Sequence, residues 1–229
     1  NYINSKLNHS RIPLEYKIVE FIINKLVDKY SNFNMSLAPE FKDIRPFLWY
    51  NYGKENKPKF NINNSYTSIL DIIDLNFDEY LSSIRNNRRR EIKKADVSIV
   101  NSTDIPKFLE IYQRMFKRNN ITLTPFEVDL VESITNAALN NNFGWLKSAI
   151  TDDNSIAAMS LFLYDKKRSY YLFGANEPSL RKGCGSTALM IENIKFSYQL
   201  GLESVDFVGA NSPNRSDYKI SFNSKLQPY

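Results

Sequence analysis

The chain has 229 residues, a formal net charge of +5 and a single cysteine. This length can bury a large core and suits one large domain or two small ones. Because 30 basic residues face 25 acidic ones, a binder whose whole surface is cationic is excluded, although a local anion site is not. One cysteine excludes an internal disulfide framework and leads us to expect a reducing, cytoplasmic location. Nothing in the given sequence resembles a signal peptide, and we expect no membrane span because no apolar run approaches the necessary length.

The first 73 residues predict a helix followed by extended segments. Apolar residues recur at helical spacing over residues 12–30, with Pro13 tolerated in the first turn. The aromatic run over residues 47–52 predicts a strand, and residues 60–73 predict a second extended segment. These elements do not make a self-contained fold. We therefore expect residues 1–73 to be the closing part of a lobe whose beginning is missing.

Residues 74–229 alternate between helical and strand-like patterns. Helices are expected over 77–95, from Thr103 as N-cap, from the Thr124–Glu127 capping box to Asn140, over 188–200 and over 214–222. Strands are expected over 97–100, 145–151, 156–164, 169–173, 204–208 and 226–229, with hairpin turns at 152–155 and 165–168. The pattern predicts an α/β (α+β) domain with a mixed sheet.

A glycine-rich loop lies between the strand over 169–173 and the helix over 188–200. Its central residues are Arg181, Lys182, Gly183, Cys184, Gly185 and Ser186. Backbone N–H groups at a helix start, together with the helix dipole and nearby cations, favour a bound phosphate. A helix start with glycines and surface cations is also a common structural feature, so the loop does not identify a function by itself.

The order of elements over residues 74–229 resembles that of the GNAT acyltransferase fold, a mostly antiparallel sheet flanked by helices. In that family the loop after the fourth strand binds the pyrophosphate of acyl-CoA and usually reads Gln/Arg-x-x-Gly-x-Gly/Ala. Gly183 and Gly185 match this pattern, whereas Leu180 takes the Gln/Arg position. The resemblance implies acyl-CoA, such as acetyl-CoA, as the donor, with its reactive carbonyl near Phe173 and Gly174.

Several segments further resemble the Fem-type peptidyltransferases and the BioF2-like GNAT domains, which place two GNAT-like lobes side by side. The similar segments are residues 84–95, 171–175, 205–209 and Tyr218–Lys219. The family's usual glycine near the end is replaced by Asn223. This resemblance implies that residues 1–73 close a first GNAT-like lobe. It also implies an alternative donor, aminoacyl-tRNA, and an alternative acceptor, a nucleotide-linked cell-wall precursor.

Three residues are catalytic candidates. The resemblance places Tyr218 where many GNAT enzymes keep a tyrosine that protonates the leaving thiolate, and Lys219 where Fem proteins keep a lysine that stabilises charge. Asp206 alternates with apolar residues of its strand and, with Asn211 beyond it, is a candidate base at the cleft. The simpler interpretations are a packed ring, a surface lysine and a carboxylate that caps a loop.

A basic helix face carries Arg88, Arg89 and Arg90. The resemblance implies that it meets the phosphates of a tRNA or of a nucleotide-linked precursor, although most such runs are only solvated. Cys184 is not expected to form a nucleophilic pair with His9, the one histidine, because His9 lies in the remote N-terminal segment. No cluster has the spacing of metal ligands, so we expect no metal.

The sequence thus predicts an acyltransferase that moves an acyl group from acyl-CoA to an amine by direct attack on the thioester. One alternative is a Fem-type aminoacyltransferase that uses charged tRNA. Another is a catalytically silent GNAT fold that serves as a binding module, since a fold alone does not establish an activity. The sequence specifies neither the acceptor nor the oligomeric state.

Overall fold

The computed structural model describes residues 7–229, so the first six residues of the predicted first lobe lie outside it. The chain divides into two compact units, Asn1–Ser65 with Pro228–Tyr229, and Tyr66–Gln227. The compact units divide after Ser65, whereas the predicted first lobe ends at residue 73 and stays a prediction. Strand β1 (Tyr66–Asp71) pairs antiparallel with strand β6 (Ser204–Asp206), so it belongs to the sheet of the larger unit.

The smaller unit contains helix α1 (Asn8–Lys29) and the short helix α2 (Arg45–Leu48). The strand predicted over residues 47–52 is therefore wrong. Pro46 lies in the first turn of α2, where its fixed φ favours a helix. Asn51 and Gly53 then adopt positive φ values of 55° and 73°, which turn the chain.

The larger unit holds a seven-stranded sheet flanked by helices. Its remaining strands are β2 (Ser98–Ser102), β3 (Gly144–Ile150), β4 (Ile156–Tyr164), β5 (Arg168–Asn176) and β7 (Lys225–Pro228). Its helices are α3 (Phe77–Ser83), α4 (Asn86–Lys94), α5 (Ile105–Arg118), α6 (Pro125–Asn140), α7 (Gly185–Gln199) and α8 (Pro213–Ile220). The strand order is β2-β3-β4-β5-β6-β1-β7. Pairing is parallel between β5 and β6 and antiparallel from β2 to β5, which confirms the predicted mixed sheet.

Local signals explain where the helices begin and break. The capping box at Thr124 is present as predicted, because its hydroxyl accepts from the Glu127 N–H and Glu127 reaches back to the Thr124 N–H. The N-cap of α5 is Asp104 rather than Thr103, since the Asp104 carboxylate accepts from the Lys107 N–H at 2.9 Å. The helix predicted over 77–95 is broken into α3 and α4 by an extended backbone at Ile84, whose side chain is buried in the core.

Successive side chains of the strands point to opposite faces of the sheet, and the apolar ones form a core on each face. Trp145 and Phe162 pack with Met190 and Ile194 of α7 on one face. Their neighbours along the strands, among them Leu146 and Leu161, pack with Phe108 and Ile111 of α5 on the other face. This period of two is the expected consequence of the pleat. The sheet is therefore a rigid layer between α7 and the α5–α6 pair.

Strands β5 and β6 stay paired only over a short distance. Their parallel register runs from Arg168 opposite Ser204 to Tyr170 opposite Asp206. Strand β6 ends there, whereas β5 continues to Asn176. The backbone of β5 beyond Tyr170 therefore faces an open space rather than β6, and the candidate site forms in this gap.

Candidate active site

A cavity of about 620 Å³ occupies the gap beside β5. Five groups of residues line it. They are Tyr171, Leu172, Phe173, Gly174 and Asn176 of β5; Tyr112, Met115 and Phe116 of α5; Arg181, Cys184, Ser186 and Thr187 around the start of α7; Arg88 and Glu91 of α4; and Val208, Gly209, Asn214, Arg215, Tyr218 and Lys219 at and before α8. Elements that are distant in sequence therefore meet at one site.

The cavity brings together about half of the residues singled out from the sequence. Those that line it are Arg88, Phe173, Gly174, Arg181, Cys184, Ser186, Tyr218 and Lys219. Those outside the lining are Arg89, Arg90, Lys182, Gly183, Gly185, Asp206 and Asn211. Local packing and hydrogen bonds explain which of these residues line the cavity and which do not.

The start of α7 leaves backbone donors open. Its N-cap, Cys184, adopts a left-handed conformation with φ 60°, and its side chain makes no capping hydrogen bond. The Cys184 carbonyl accepts from the N–H groups of Thr187 and Ala188 at 3.0 and 3.3 Å. Because the first N–H groups of a helix have no intrahelical acceptor, those of Gly185 and Ser186 stay available. With Arg181 also in the lining, this helix start suits an anion.

The two glycines of the loop differ in how closely other atoms approach them. A Cβ at Gly185 would lie 3.0 Å from the Cβ of Ala157 and 3.4 Å from that of Ala149, so this glycine lets α7 pack closely on the sheet. A Cβ at Gly183 would meet no atom within 4 Å. The one left-handed residue of the turn is Cys184, which the sequence pattern did not indicate.

A β-bulge shapes the wall that β5 contributes. Leu161 of β4 lies opposite Phe173, whereas the next residue, Phe162, lies opposite Tyr171, so Leu172 is an extra residue on β5. Bulges bend a strand and free backbone groups from the ladder. The Tyr171 hydroxyl lies against the backbone of Gly174, where a Cβ would overlap it. A larger residue at position 174 would therefore force the Tyr171 side chain to move.

Tyr218 is half-buried on α8 and reaches the first turn of α7. Its hydroxyl donates to the Ser186 carbonyl at 3.4 Å, and its ring packs on Phe222 with centres 5.1 Å apart. Burial raises the pKa of Tyr218 to about 12, and the Arg88 charge opposes that effect. A phenol with this pKa is protonated at neutral pH, so it can give up a proton but cannot serve as a ready base.

Lys219 is buried, with 9 % of its surface exposed. Its ammonium donates to the carbonyl of Val208 and, at 2.8 Å, to that of Gly209. Burial lowers the pKa of Lys219 to about 8, and the charge of Arg215 acts in the same direction. The ammonium therefore remains charged at neutral pH and adds a held positive charge to the cavity, unlike an unpartnered surface lysine.

The structure does not bring Asp206 or Asn211 to the cavity. The buried carboxylate of Asp206 accepts from the Thr67 hydroxyl and from the Val208 N–H at 2.8 Å, and it lies 3.9 Å from Arg168. These partners hold the end of β6 and oppose a role as a free base. Asn211 is exposed, and its side-chain oxygen accepts from the Tyr66 N–H at 2.6 Å, where β1 begins.

The three arginines of α4 separate into one inward and two outward residues. Arg88 donates to Ser221 Oγ at 2.9 Å and to Thr187 Oγ1 at 3.2 Å, and it pairs with Glu91. Arg89 and Arg90 are exposed. Arg88 is therefore part of the wall under Tyr218, and only Arg89 and Arg90 remain on the surface as the predicted phosphate contacts.

Several cavity residues escaped the sequence interpretation. Tyr112, Met115 and Phe116 lie on the apolar face of α5, and residues at such helical spacing usually belong to a core. Arg215 could have been found from its spacing, because it lies one helical turn before Lys219 on α8.

The charges of the lining are unbalanced. Its cations are Arg88, Arg181, Arg215 and Lys219, and its one carboxylate is that of Glu91, which is bound to Arg88. The remaining cations favour an anionic ligand.

Neither a metal centre nor a membrane-spanning helix is found within residues 7–229. No three residues of His, Cys, Asp or Glu are grouped so that they could hold a metal ion. No helix there has the length and apolar character needed to cross a membrane.

Residues 82–219 match the family described as acetyltransferase (GNAT) domain, and this match covers more than half of the chain. The chain belongs to the GNAT acetyltransferase family. The match confirms the family predicted from the order of elements and from the loop before α7. It also contains the bulged strand, the start of α7, Tyr218 and Lys219, so the cavity lies within the GNAT domain.

Solved structures share the fold of this GNAT domain. The crystal structure of FemX superposes with a TM-score of 0.63 at 14 % identity over 71 % of this chain and 59 % of that one. A conserved protein of unknown function from Bacteroides thetaiotaomicron gives a TM-score of 0.54 at 12 % identity over 72 % of this chain and 57 % of that one. The chain thus spans less than two thirds of the length of either structure. No curated protein sequence matches it.

Proposed function

We propose that this GNAT domain transfers an acyl group from acyl-CoA, acetyl-CoA in the simplest case, to an amine. The observation that carries the proposal is the cavity itself. It joins the open start of α7, the bulged strand β5 and the side chains of Tyr218 and Lys219. An anion-binding helix start, a strand with free backbone groups and a protonated phenol are the parts that thioester aminolysis requires.

Each part has a role in the proposed reaction. The donor's pyrophosphate is bound by the N–H groups of Gly185 and Ser186 and by Arg181. The thioester carbonyl lies beside Phe173 and Gly174. The amine nitrogen attacks the carbonyl carbon, the carbon–sulfur bond breaks, and the Tyr218 hydroxyl protonates the departing thiolate. The amine's surplus proton passes to solvent.

Leu180 stands where the family usually has Gln or Arg, so one side-chain contact to the pyrophosphate is lost while the binding site at the start of α7 remains. The anion contacts proposed here come from backbone N–H groups, which do not depend on the side chain at that position. Arg181, the next residue, lines the cavity and supplies the cation from a neighbouring place in the loop.

Donor binding can be tested at Gly183 without a steric artefact. A Cβ at this position meets no atom within 4 Å, so neither variant introduces a steric clash. Gly183→Asp adds a negative charge near the proposed pyrophosphate site, and Gly183→Asn is the uncharged control of the same size. Thermal unfolding is measured with acetyl-CoA, and the wild type gains roughly 2.7 kcal/mol at ~100 times the dissociation constant. We expect Gly183→Asn to keep this gain and Gly183→Asp to lose most of it. Equal gains in both variants would remove the loop from the donor site.

Aminoacyl transfer from charged tRNA is the second candidate. The observation in its favour is the exposed pair Arg89 and Arg90 on α4, with Lys93 and Lys94 also exposed. Under this candidate, Arg89→Gln with Arg90→Gln makes tRNA binding less dependent on salt, since each lost phosphate contact lowers the slope by about one. An unchanged slope of binding against salt rejects this candidate.

A catalytically silent binding module is the third candidate. It predicts acetyl-CoA binding with no transfer to any amine.

A further inference from the structure

Arg215 is the least explained charge of the cavity. It lies in the first turn of α8 (Pro213–Ile220), where the helix dipole disfavours a cation. Its side chain has neither an ion pair nor a hydrogen bond within the described part of the chain, residues 7–229. One helical turn later stands Lys219, a second cation. Of the two, Lys219 is also influenced by a carboxylate, that of Asp206, which raises its pKa against the effect of burial. Two neighbouring positive charges favour an anionic group beside them.

Arg215 is exposed, and no carboxylate of the cavity lining is left to pair with it. Glu91 lines the same cavity, but it is bound to Arg88 and accepts from the Thr187 hydroxyl at 2.6 Å. Asp206 lies outside the lining and is held by Thr67 and Val208, as described above. The positive charge of Arg215 is therefore left for a ligand.

Aromatic rings surround the same part of the cavity. The ring of Tyr112 lies 4.9 Å from that of Phe116 and 5.8 Å from that of Phe173, centre to centre. Arg215 lines the same cavity as these rings and as Tyr171. Burial raises the pKa of Tyr112 and of Tyr171, and in both cases the charge of Arg215 opposes the rise. Half-buried aromatic side chains that face a cavity bind apolar groups well.

We propose that the acceptor is an amine that carries a carboxylate and an apolar side chain, with Arg215 binding the carboxylate and the rings of Tyr112 and Phe116 contacting the apolar part. This inference rests on the proposed acyl transfer. The donor's phosphates are already provided for at the start of α7 with Arg181. Arg215 instead lies on α8, four residues before Lys219, and lines the cavity together with Tyr112 and Phe116.

The test is a binding measurement that needs no turnover. Titration calorimetry compares L-phenylalanine with phenethylamine, which has the same ring and amine but no carboxylate. We expect the wild type to prefer L-phenylalanine and Arg215→Gln to weaken that ligand by roughly tenfold while leaving phenethylamine unchanged. The matched control is Arg118→Gln, an exposed arginine at the end of α5 outside the lining, which should change neither affinity.

A second variant tests the apolar wall. Phe116→Ala should reduce the preference for L-phenylalanine over L-alanine, and retained acetyl-CoA binding would show that this variant is folded. An equal loss for both amino acids contradicts the assignment of the wall.

Other results would overturn the carboxylate site or separate it from the donor. If the wild type binds both amines equally, the acceptor carries no carboxylate. If Arg215→Gln weakens acetyl-CoA and not L-phenylalanine, the anion at Arg215 is a donor phosphate. If acetyl-CoA fails to bind while the preference for L-phenylalanine persists, the proposed donor is wrong and the acceptor site stands.

Discussion

The guanidinium of Arg88 lies 4.7 Å from the ring centre of Tyr218. The same group donates to Thr187 at the start of α7 and to Ser221 just after α8, and it pairs with Glu91 on its own helix. One side chain thus joins α4, α7 and α8 under the proposed proton donor. A residue that looked like one of three phosphate contacts in the sequence supports the site from within.

Replacing Arg88 should destabilise the domain. Arg88→Met removes the hydrogen bonds that Arg88 donates to Ser221 and Thr187 and its ion pair with Glu91. We therefore expect a loss of about 1–3 kcal/mol in the free energy of unfolding, measured in urea. Arg89→Met, one residue away and exposed, should change it by less than about 0.5 kcal/mol. Similar effects in the two variants would show that Arg88 does not bridge the helices.

Tyr218→Phe should separate catalysis from stability. The hydrogen bond from Tyr218 to Ser186 is long at 3.4 Å, so its loss should change stability by less than about 1 kcal/mol. Without the proton donor, kcat with acetyl-CoA should fall by roughly 10²–10⁴. The loss should nearly vanish with an activated thioester, whose thiolate leaves without a proton. A loss of the same size with both thioesters would argue against proton donation.

The stability contributed by Lys219 should rise with pH. Burial lowers its pKa from 10.5 to about 8, so between these values the unfolded chain binds more protons than the folded one. The free energy of unfolding must then increase with pH in that window. Urea unfolding of the wild type and of Lys219→Met at about pH 7.5 and about pH 9.5 should show a difference that moves by about 1–3 kcal/mol in favour of the wild type. A constant difference would mean that Lys219 keeps an ordinary pKa.

The two loop glycines should respond differently to alanine. Gly185→Ala places a Cβ 3.0 Å from that of Ala157, so α7 must shift away from the sheet and the domain should lose about 1–3 kcal/mol. Gly183→Ala meets open space and should be neutral or slightly stabilising, by less than about 1 kcal/mol. Thermal or urea unfolding of both variants is the measurement. Equal losses would contradict this assignment of roles.

Sequence reasoning succeeded where the signal is local. The capping box at Thr124 and the hairpins between β3, β4 and β5 depend on neighbouring residues, and they formed as predicted. It failed where tertiary packing decides. The extended backbone at Ile84 accompanies the burial of its side chain in the core. In the aromatic run after Pro46, the ring of Phe47 packs on that of Phe60, which is distant in sequence.

The site was predictable in its types of residue more than in their arrangement. Tyr218 and Lys219 were found through a family pattern, and both reach the cavity. Asp206 looked equally suitable on its strand, but long-range contacts, above all with Thr67, occupy its carboxylate. The register shift beside Leu172 depends on the pairing of β4 with β5, and no single residue of either strand predicts it.

The position of β1 sets a limit on how this protein can be dissected. Its Thr67 binds Asp206, which in turn holds the N–H of Val208, whose carbonyl receives Lys219. A fragment that starts after Ile73 would retain all of the residues that match the family, 82–219, yet leave β6 and β7 without the strand that separates them. Modular excision at that point would therefore yield a polypeptide with the catalytic candidates but without the scaffold that aligns them.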